Sequence, residues 1–291
     1  MIKSPFLQEL DTPVFKKNRL RFFVLDLESI HPTINGNKYF KLKYNIEQLK
    51  NSGKNKILTF GGAYSNHIYA TAAAGKVFGL QTLGIIRGEE LHGQSNPVLR
   101  AAQKMGMKLK FVTREDYRKR DDDGFLLQLK NEFDDYFILP EGGTNALAVK
   151  GCTEILSFID EPFNWICCAC GTGGTLAGIA KGLQKNQSII GISAIKAESF
   201  FEKKIPELMG LPALPDNVKL KHDFHFGGYA KTNQELKTFS ADFYTNYRIK
   251  IDPVYNSKLF FGVFKLAEEG FFSAGSAIVC INTGGNYSFE T

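Results

Sequence analysis

Short apolar runs alternate with longer segments of helical spacing along most of the chain, and turns rich in glycine separate them. Apolar runs bounded by turn residues are typical of buried strands, whereas apolar positions three and four apart are typical of helices. In the first half, strands are predicted at 56–60, 81–86 and 109–112, with helices at 66–76 and 96–105 between them. This order predicts a parallel sheet with crossover helices.

The same alternation returns in the second half of the chain. It predicts helices at 145–159 and 176–183, and strands at 165–170, 189–194 and 277–281. The segment from Phe200 to Asn256 has weaker periodicity and is interpreted as loops and helices that cover a site. The turn Pro140-Glu141-Gly142-Gly143 is the place where the chain would return between domains. The fold class is therefore α/β.

Composition narrows the class of protein. The chain has 291 residues, of which 43% are hydrophobic and 23% charged, so it is a globular protein long enough for two domains. The net charge of +6 is modest for this length, and the basic residues form small groups along the chain. A nucleic-acid surface would need a clustered basic stripe, so we expect no nucleic-acid partner.

Cysteine placement bears on metal binding and compartment. Three of the five cysteines, Cys167, Cys168 and Cys170, lie in one predicted strand. Because adjacent strand residues point to opposite faces, Cys167 and Cys168 are poorly placed to share a metal, and no second cluster completes a zinc site. We expect no metal and buried, reduced thiols. With no signal peptide at the N-terminus and no apolar stretch long enough to cross a membrane, we expect a cytoplasmic protein.

The turn Gly171-Thr172-Gly173-Gly174-Thr175 joins a predicted strand to a predicted helix. Ligands of open α/β sheets bind beyond the carboxyl ends of strands, and glycines there let backbone N–H groups approach a phosphate. The turn lacks the Gly-Lys-Ser/Thr ending of a P-loop, and Leu176 breaks the dinucleotide pattern. Two interpretations remain, a cup for a single phosphate or a tight turn that requires glycine for its conformation.

A second glycine turn, Gly61-Gly62-Ala63-Tyr64-Ser65-Asn66-His67, precedes another predicted helix. Ser65 and Asn66 are favoured N-cap residues, so the segment is either an ordinary helix cap or a cradle for a carboxylate. A histidine at a buried helix start, here His67, is more typical of a structural donor than of a catalyst.

Lys38 and Lys41 are three residues apart and share one helix face, whereas Lys43 points elsewhere. Two neighbouring positive charges favour loss of a proton from one, and such a lysine forms imines with aldehydes. The alternative is a solvated basic helix. At the last strand, Asn282-Thr283-Gly284-Gly285 offers a neutral hydroxyl beside backbone that can be approached closely. A lysine, a phosphate cup, an anion cradle and a hydroxyl together point to pyridoxal phosphate holding an amino acid.

Six short segments carry a family resemblance in one order between about residues 35 and 286: Gly36-Asn37-Lys38 with Lys41-Leu42, Gly61-Gly62 with Ser65-Asn66-His67, Gly142-Gly143-Thr144-Asn145-Ala146, Thr172-Gly173-Gly174-Thr175 with Ala177-Gly178, Asp252-Pro253-Val254-Tyr255 with Lys258, and Thr283-Gly284-Gly285. Together they resemble the family of 1-aminocyclopropane-1-carboxylate deaminase and D-cysteine desulfhydrase. These are pyridoxal 5'-phosphate enzymes with a tryptophan-synthase-β-like fold. The resemblance implies a larger cofactor-binding domain at 1–43 and 146–291, a smaller substrate-side domain at 44–145, a mostly parallel sheet flanked by helices in each, and a homodimer.

The resemblance also implies roles for individual residues. The expected catalytic residues are Lys38, which would carry the cofactor as an imine, Ser65, which would transfer a proton, and Tyr255 near the cofactor ring. The phosphate would bind at Thr172, Gly173, Gly174 and Thr175, with Asn66 as a further cofactor contact, and the hydroxyl of Thr283 would face the pyridine nitrogen. Ser65, Asn66, His67 and Tyr229 would bind the substrate. A neutral hydroxyl at the ring nitrogen implies a weaker electron sink, which suits elimination with a good leaving group.

Departures from the family pattern bear on the substrate. Asn256 stands where cyclopropane-opening members carry Glu, and Thr283 stands where they carry Leu, which favours α,β-elimination from a D-cysteine-like amino acid to a keto acid, ammonia and sulfide. The alternatives are 1-aminocyclopropane-1-carboxylate deamination or another β-elimination or β-replacement. Phe40, Tyr64 and Tyr69 replace polar family residues, which motivates a third hypothesis, a cofactor- or amino-acid-binding protein with weak turnover.

Overall fold

The computed structural model describes residues 3–133 and 135–287. In this part of the chain the strands are β1 Phe6–Glu9, β2 Arg21–Asp26, β3 Lys56–Gly61, β4 Gln81–Arg87, β5 Lys108–Val112, β6 Phe137–Leu139, β7 Trp165–Cys170, β8 Ser188–Ser193, β9 Val218–Lys221 and β10 Ala277–Asn282. The α-helices are α1 Pro13–Lys17, α2 Asn37–Asn51, α3 Asn66–Phe78, α4 Pro97–Lys104, α5 Arg114–Arg118, α6 Asp123–Glu132, α7 Ala146–Thr153, α8 Gly174–Gly182, α9 Glu198–Met209, α10 Gln234–Tyr247 and α11 Asn256–Glu268. Two 3-10 helices lie at Glu141–Gly143 and Glu154–Phe158.

The chain divides into two compact units. Among the described residues, unit 1 comprises those up to His31, Asn35–Asn37 and Val149–Asn286. Unit 2 comprises the described residues of Pro32–Ile34 and Lys38–Ala148, together with Tyr287. The predicted domain ranges 1–43, 44–145 and 146–291 stay a prediction, and they include residues 1–2, 134 and 288–291, which lie outside the described residues.

Unit 1 is built on a six-stranded sheet with the order β1-β2-β10-β7-β8-β9. Strand β1 pairs antiparallel with β2, and every other pair is parallel. All six residues of β10 are buried, as expected for an interior parallel strand covered on both faces. Helix α11 and strand β2 contribute large apolar side chains to its core, among them Phe22, Phe260 and Leu259.

Unit 2 is built on a four-stranded parallel sheet with the order β5-β4-β3-β6. The Ala-rich helix α3 packs closely against β3 because its small side chains, such as Ala70, Ala73 and Ala74, are fully buried. This helix starts at Ser65, whose Oγ accepts a hydrogen bond from the Ile68 N–H, and it ends at Gly79, which adopts the left-handed conformation that glycine tolerates.

The predicted α/β class with mostly parallel sheets is confirmed by both units, and the apolar runs correspond to β3, β4, β5, β7, β8 and β10. Strands β1, β2 and β6 were not predicted, and two further details differ from expectation. The predicted helix at 145–159 is α7 followed by a 3-10 helix, because the Thr153 hydroxyl donates to the Lys150 carbonyl at 2.7 Å and competes with the α-helical bond. The segment from Phe200 to Asn256 also contains a strand, β9, which the sequence interpretation missed because only Val218 of its four residues is buried.

The cysteines and the character of the helices bear on the expectations about metal binding and membrane insertion. All five cysteines are free and buried. Within residues 3–133 and 135–287, no cluster of three or more His, Cys, Asp or Glu side chains is arranged to hold a metal ion. No helix in this part of the chain has the length and apolar character needed to cross a membrane.

We predict that Gly178→Ala destabilises the protein although alanine favours helix formation. A Cβ at Gly178 in α8 would lie 2.4 Å from the Cβ of Cys152 and 2.6 Å from the Val149 carbonyl oxygen. Such overpacking costs about 1–3 kcal/mol. The matched control is Gly124→Ala in α6, where a Cβ would approach only the Asp122 side chain, at 3.1 Å. Urea denaturation should show a lower unfolding midpoint for the first variant only; equal midpoints would contradict the packing argument.

Candidate active site

The strand-to-helix turn after β7 has the features of a phosphate site. Helix α8 begins at Gly174, and its N-cap residue Gly173 has φ 80° and offers no side-chain hydrogen bond to the helix. By contrast, the described N-termini of α3 and α4 are capped by the side chains of Ser65 and Asn96. The first-turn N–H groups of α8 therefore lack the capping acceptor that those helices have. An uncapped N-terminus carries partial positive charge, which suits an anion.

The backbone at Gly36 and Asn37 lies directly against the end of β10. The Asn37 N–H donates to the Thr283 carbonyl oxygen at 3.1 Å, and the Asn37 Nδ2 donates to Thr175 Oγ1 at 2.9 Å. Gly36 has φ +64°, and a Cβ there would lie 1.9 Å from the Thr283 carbonyl oxygen. Glycine is therefore required at this position. Asn37 is thus fixed to the start of α8 and to the end of β10, and the next residue in the chain is Lys38.

A buried amide organises the end of β10. The Oδ1 of Asn256 accepts hydrogen bonds from the Thr283 N–H at 3.1 Å and from Thr283 Oγ1 at 3.0 Å. Its Nδ2 donates to Asp252 Oδ2 at 2.6 Å and to the Gly284 carbonyl oxygen at 3.1 Å. Asn256 is fully buried, and Thr283 is 9% exposed.

Two tyrosines of unit 1 lie near this end of the sheet. The rings of Tyr229 and Tyr255 approach edge to face with centroids 6.2 Å apart, and a Cβ on Gly171 would lie 2.8 Å from the Tyr255 ring. Lys258 anchors the loop that carries Tyr229, because its Nζ donates to the Gly228 carbonyl at 2.7 Å and to the Ala194 carbonyl at 2.9 Å. Burial lowers the pKa of Lys258 to about 8.

In unit 2, helix α2 contains the two lysines that share a face. Lys41 is 1% exposed, and its Nζ donates to Thr144 Oγ1 at 2.7 Å, while Lys38 is half-buried. Lys41 is therefore a buried cation with a specific partner, which argues against a solvated basic helix. Phe40 is 1% exposed and packs in the interior.

Ser65, Asn66 and His67 form the start of α3. The Ser65 hydroxyl caps the helix, as described above, so this side chain serves the fold whatever else it binds. His67 is 2% exposed, and its Nε2 lies 2.7 Å from Thr59 Oγ1. Because Thr59 donates its own proton to the Leu139 carbonyl oxygen, His67 must donate its Nε2 proton to Thr59. His67 thus acts as a structural donor.

The environment keeps His67 neutral. Burial lowers the pKa of His67 well below its usual range, and the positive charges of Lys41 and Lys38 lower it further. With the proton on Nε2, the Nδ1 atom is an acceptor that has no hydrogen-bond partner among the described residues. A Cβ on Gly143 would lie 2.9 Å from the imidazole, so glycine is needed beneath the ring.

Tyr64 and Tyr69, the other two aromatic residues that the sequence analysis singled out, lie at the start of α3. Tyr64 is 63% exposed. The rings of Tyr69 and Tyr287 pack against each other at an interplanar angle of 35° with centroids 3.9 Å apart, and the Tyr287 hydroxyl donates to the Asn66 carbonyl oxygen at 3.1 Å. Tyr287 therefore fixes the backbone of a predicted substrate-binding residue from outside the helix.

The predicted site residues fall into two groups. Unit 1 carries Thr172, Gly173, Gly174, Thr175, Tyr229, Tyr255 and Thr283, and unit 2 carries Lys38, Ser65, Asn66 and His67. Sequence reasoning gave no structural roles to the residues that hold these groups in place, namely Asn37, Asp252, Asn256, Thr144 and Tyr287, although it used Asn256 to argue for the substrate. Only the spacing Asp252-x-x-x-Asn256 at a helix start was visible as a local signal, since it is typical of a carboxylate that accepts first-turn N–H groups.

Known proteins resemble this chain in sequence and in fold. The family model described as "Pyridoxal-phosphate dependent enzyme" matches residues 6–284. A protein of Pyrococcus horikoshii named as a 1-aminocyclopropane-1-carboxylate deaminase is 31% identical over 267 residues, which cover 87% of this chain and 80% of the relative. The mitochondrial bifunctional D-cysteine desulfhydrase/1-aminocyclopropane-1-carboxylate deaminase of Arabidopsis thaliana is 27% identical over 282 residues, 87% of this chain and 69% of that protein. The crystal structure of an ACC deaminase homologue superposes with a TM-score of 0.79 at 25% identity and covers 98% of this chain and 90% of that chain.

We predict that Gly36→Ala is far more damaging than Gly53→Ala. Both glycines have positive φ, +64° and +72°, so both variants incur the left-handed strain of about 1–2 kcal/mol. Only at Gly36 does the new Cβ also collide with the Thr283 carbonyl, whereas Gly53 has no atom within 4 Å of that position. Thermal unfolding should therefore show a clearly larger loss for Gly36→Ala, with loss of cofactor binding. Equal losses would mean that the contact with Thr283 is unimportant.

Proposed function

The chain belongs to the family of pyridoxal-phosphate dependent enzymes, and from this premise we propose that it is a lyase that acts on D-cysteine or a closely similar small amino acid. The reaction is α,β-elimination followed by hydrolysis, so that D-cysteine and water give pyruvate, ammonia and hydrogen sulfide. The observation that carries the proposal is the hydrogen bond from Asn37 to Thr175, because it fixes the residue before Lys38 to the phosphate-type turn of α8.

The residues of unit 1 fit pyridoxal phosphate. The uncapped N-terminus of α8 offers backbone donors for a phosphate, and the glycines of the turn leave no side chain over them. Thr283 offers a hydroxyl at the end of β10, where ligands of parallel sheets bind. When bound, the cofactor supplies an aldehyde for a lysine and an electron sink for the amino-acid substrate.

The chain's own side chains have the following proposed roles. Lys38 binds the cofactor covalently and exchanges a proton at the substrate Cα. Ser65 and Asn66 orient the substrate carboxylate, with Ser65 Oγ as a proton donor or acceptor. Tyr255 and Tyr229 enclose the substrate side of the ring. The phosphate contacts are Thr172, Gly173, Gly174 and Thr175, and the further contacts are Asn66 to the cofactor and His67 to the substrate.

The choice of elimination over cyclopropane opening rests on Asn256 and Thr283. In cyclopropane-opening relatives the corresponding residues are Glu and Leu, as the family resemblance indicates. Here the amide of Asn256 is consumed by four hydrogen bonds to Thr283, Asp252 and Gly284. Asn256 therefore presents no carboxylate, and Thr283 presents a hydroxyl in place of an apolar side chain, so an elimination with thiol as the leaving group is favoured. Deamination of 1-aminocyclopropane-1-carboxylate is the second candidate, since relatives carry that name.

Assembly and location are part of the same proposal. The family resemblance supports a homodimer, and the five reduced cysteines support a cytoplasmic enzyme. Light scattering of the purified holoenzyme measures the oligomeric state directly, and a dimer is the expected result.

We expect Lys38→Ala to abolish the visible absorption band of the bound cofactor, whereas Lys43→Ala, on another face of α2, retains the band. Borohydride treatment of the wild type, followed by peptide mass mapping, should place the reduced cofactor adduct on Lys38. An adduct on Lys41, or an unchanged spectrum in Lys38→Ala, would show that the assignment is wrong.

We predict release of sulfide, pyruvate and ammonia in equal amounts from D-cysteine, and little or no keto acid from 1-aminocyclopropane-1-carboxylate. The measurement is a product assay over D- and L-cysteine, D- and L-serine, β-chloro-D-alanine and 1-aminocyclopropane-1-carboxylate. A four-carbon keto acid from the cyclopropane substrate as the main product would select the second candidate. Cofactor binding without product from any of these compounds would instead support the binding-protein hypothesis raised by Phe40, Tyr64 and Tyr69.

A further inference from the structure

The orientation of the Asn256 side chain follows from its neighbours. Its nitrogen faces the carboxylate of Asp252 and the carbonyl of Gly284, which only accept hydrogen bonds. Its oxygen faces the backbone N–H of Thr283, which only donates. The opposite amide orientation would place acceptor against acceptor on one side and donor against donor on the other, so a single orientation is possible.

This orientation determines the proton of the Thr283 hydroxyl. Thr283 Oγ1 lies 3.0 Å from Asn256 Oδ1, an acceptor, so the hydroxyl donates its only proton there. What Thr283 can offer to a ligand is then the lone pairs of its oxygen. Asn256 therefore converts a hydroxyl that could donate or accept into an acceptor.

The chain of hydrogen bonds extends from Thr283 through Asn256 to a buried carboxylate. Asp252 is 3% exposed and accepts from the N–H groups of Val254, Tyr255 and Asn256 as well as from Asn256 Nδ2. The negative charge of Asp252 acts at a distance. It contributes to the raised pKa of Glu28, and it partly offsets the lowering of the Lys258 pKa by burial. Hydrogen bonds in series in a low-dielectric interior polarise one another, so Asp252 increases the acceptor strength of Thr283 Oγ1 through Asn256.

We propose that Asn256 is a positioning residue that keeps the pyridine nitrogen of the bound cofactor protonated, by committing the Thr283 hydroxyl as an acceptor linked to Asp252. The proposal rests on the placement of Thr283 at the ring nitrogen under the proposed function. An unprotonated ring nitrogen would face the oxygen lone pairs of Thr283 without a donor, whereas a protonated nitrogen donates to them. The proton comes from solvent.

This inference revises one expectation from the family resemblance. A neutral hydroxyl at the ring nitrogen implied a weak electron sink, which holds where the hydroxyl donates. As an acceptor connected to a carboxylate, the same hydroxyl favours the pyridinium form, which withdraws electrons more strongly. The enzyme would then labilise the Cα proton more readily than its neutral side chains suggest.

The test is 15N NMR of pyridoxal 5'-phosphate labelled at the ring nitrogen and bound to the protein. In the wild type at neutral pH we expect the chemical shift of a protonated pyridine. Thr283→Val, which removes the hydroxyl but keeps the shape, should move the resonance to the unprotonated value, and Thr283→Ser should restore the protonated value. Asn256→Leu frees the hydroxyl to donate and should also give the unprotonated value.

Asn256→Asp is the control for folding, since a carboxyl sharing a proton with Asp252 preserves both the shape and the oxygen facing Thr283. It should retain the protonated shift. If Asn256→Leu does not fold, the wild-type spectrum still decides, because an unprotonated ring nitrogen there overturns the inference. A purely structural role of Asn256 would weaken cofactor binding without changing the shift, which also overturns it.

The same experiment separates this inference from the proposed function. If the wild-type ring nitrogen is protonated and Thr283→Val leaves the resonance unchanged, Thr283 does not face the ring, and the proposed site itself is wrong. If Thr283→Val moves the resonance and Asn256→Leu does not, the site stands and only the role of Asn256 fails.

Discussion

The close approach of the Gly36-Asn37 backbone to Thr283 is the contact on which the candidate site depends. It requires a residue without a Cβ, because such an atom would lie 1.9 Å from the Thr283 carbonyl oxygen. With glycine in place, the Asn37 N–H and side chain bond to the end of β10 and to the start of α8. Asn37, the residue that precedes Lys38 in the chain, is thereby fixed to the turn suited to phosphate.

A second set of contacts adjusts the chemistry of that site. Asn256 joins the hydroxyl of Thr283 to the carboxylate of Asp252, and all three are at least nine-tenths buried. In such an environment each group must have its hydrogen bonds satisfied, so the direction of every bond in the series is fixed by the group at its end. The carboxylate acts on the site without touching a ligand. Two neutral residues, Asn256 and Thr283, can in this way transmit the effect of the Asp252 carboxylate to the site.

The sequence allowed the strand ends and their glycine turns to be predicted, because buried parallel strands are continuous apolar runs and tight turns need glycine. Strand β2 was not assigned, although Phe22–Leu25 is apolar, since a short apolar run does not by itself distinguish strand from helix. The bonds of Asn256 could not be predicted either. Two of its partners, Thr283 and Gly284, are 27 and 28 residues away in sequence, and only the folded sheet brings them together.

The most direct test of this account is a crystal structure of the protein with pyridoxal 5'-phosphate bound. The account predicts continuous density from Lys38 Nζ to the cofactor, the phosphate on the backbone N–H groups at the start of α8, and the ring nitrogen within hydrogen-bond distance of Thr283 Oγ1. A phosphate bound away from α8, or a ring nitrogen facing a group other than Thr283, would contradict it.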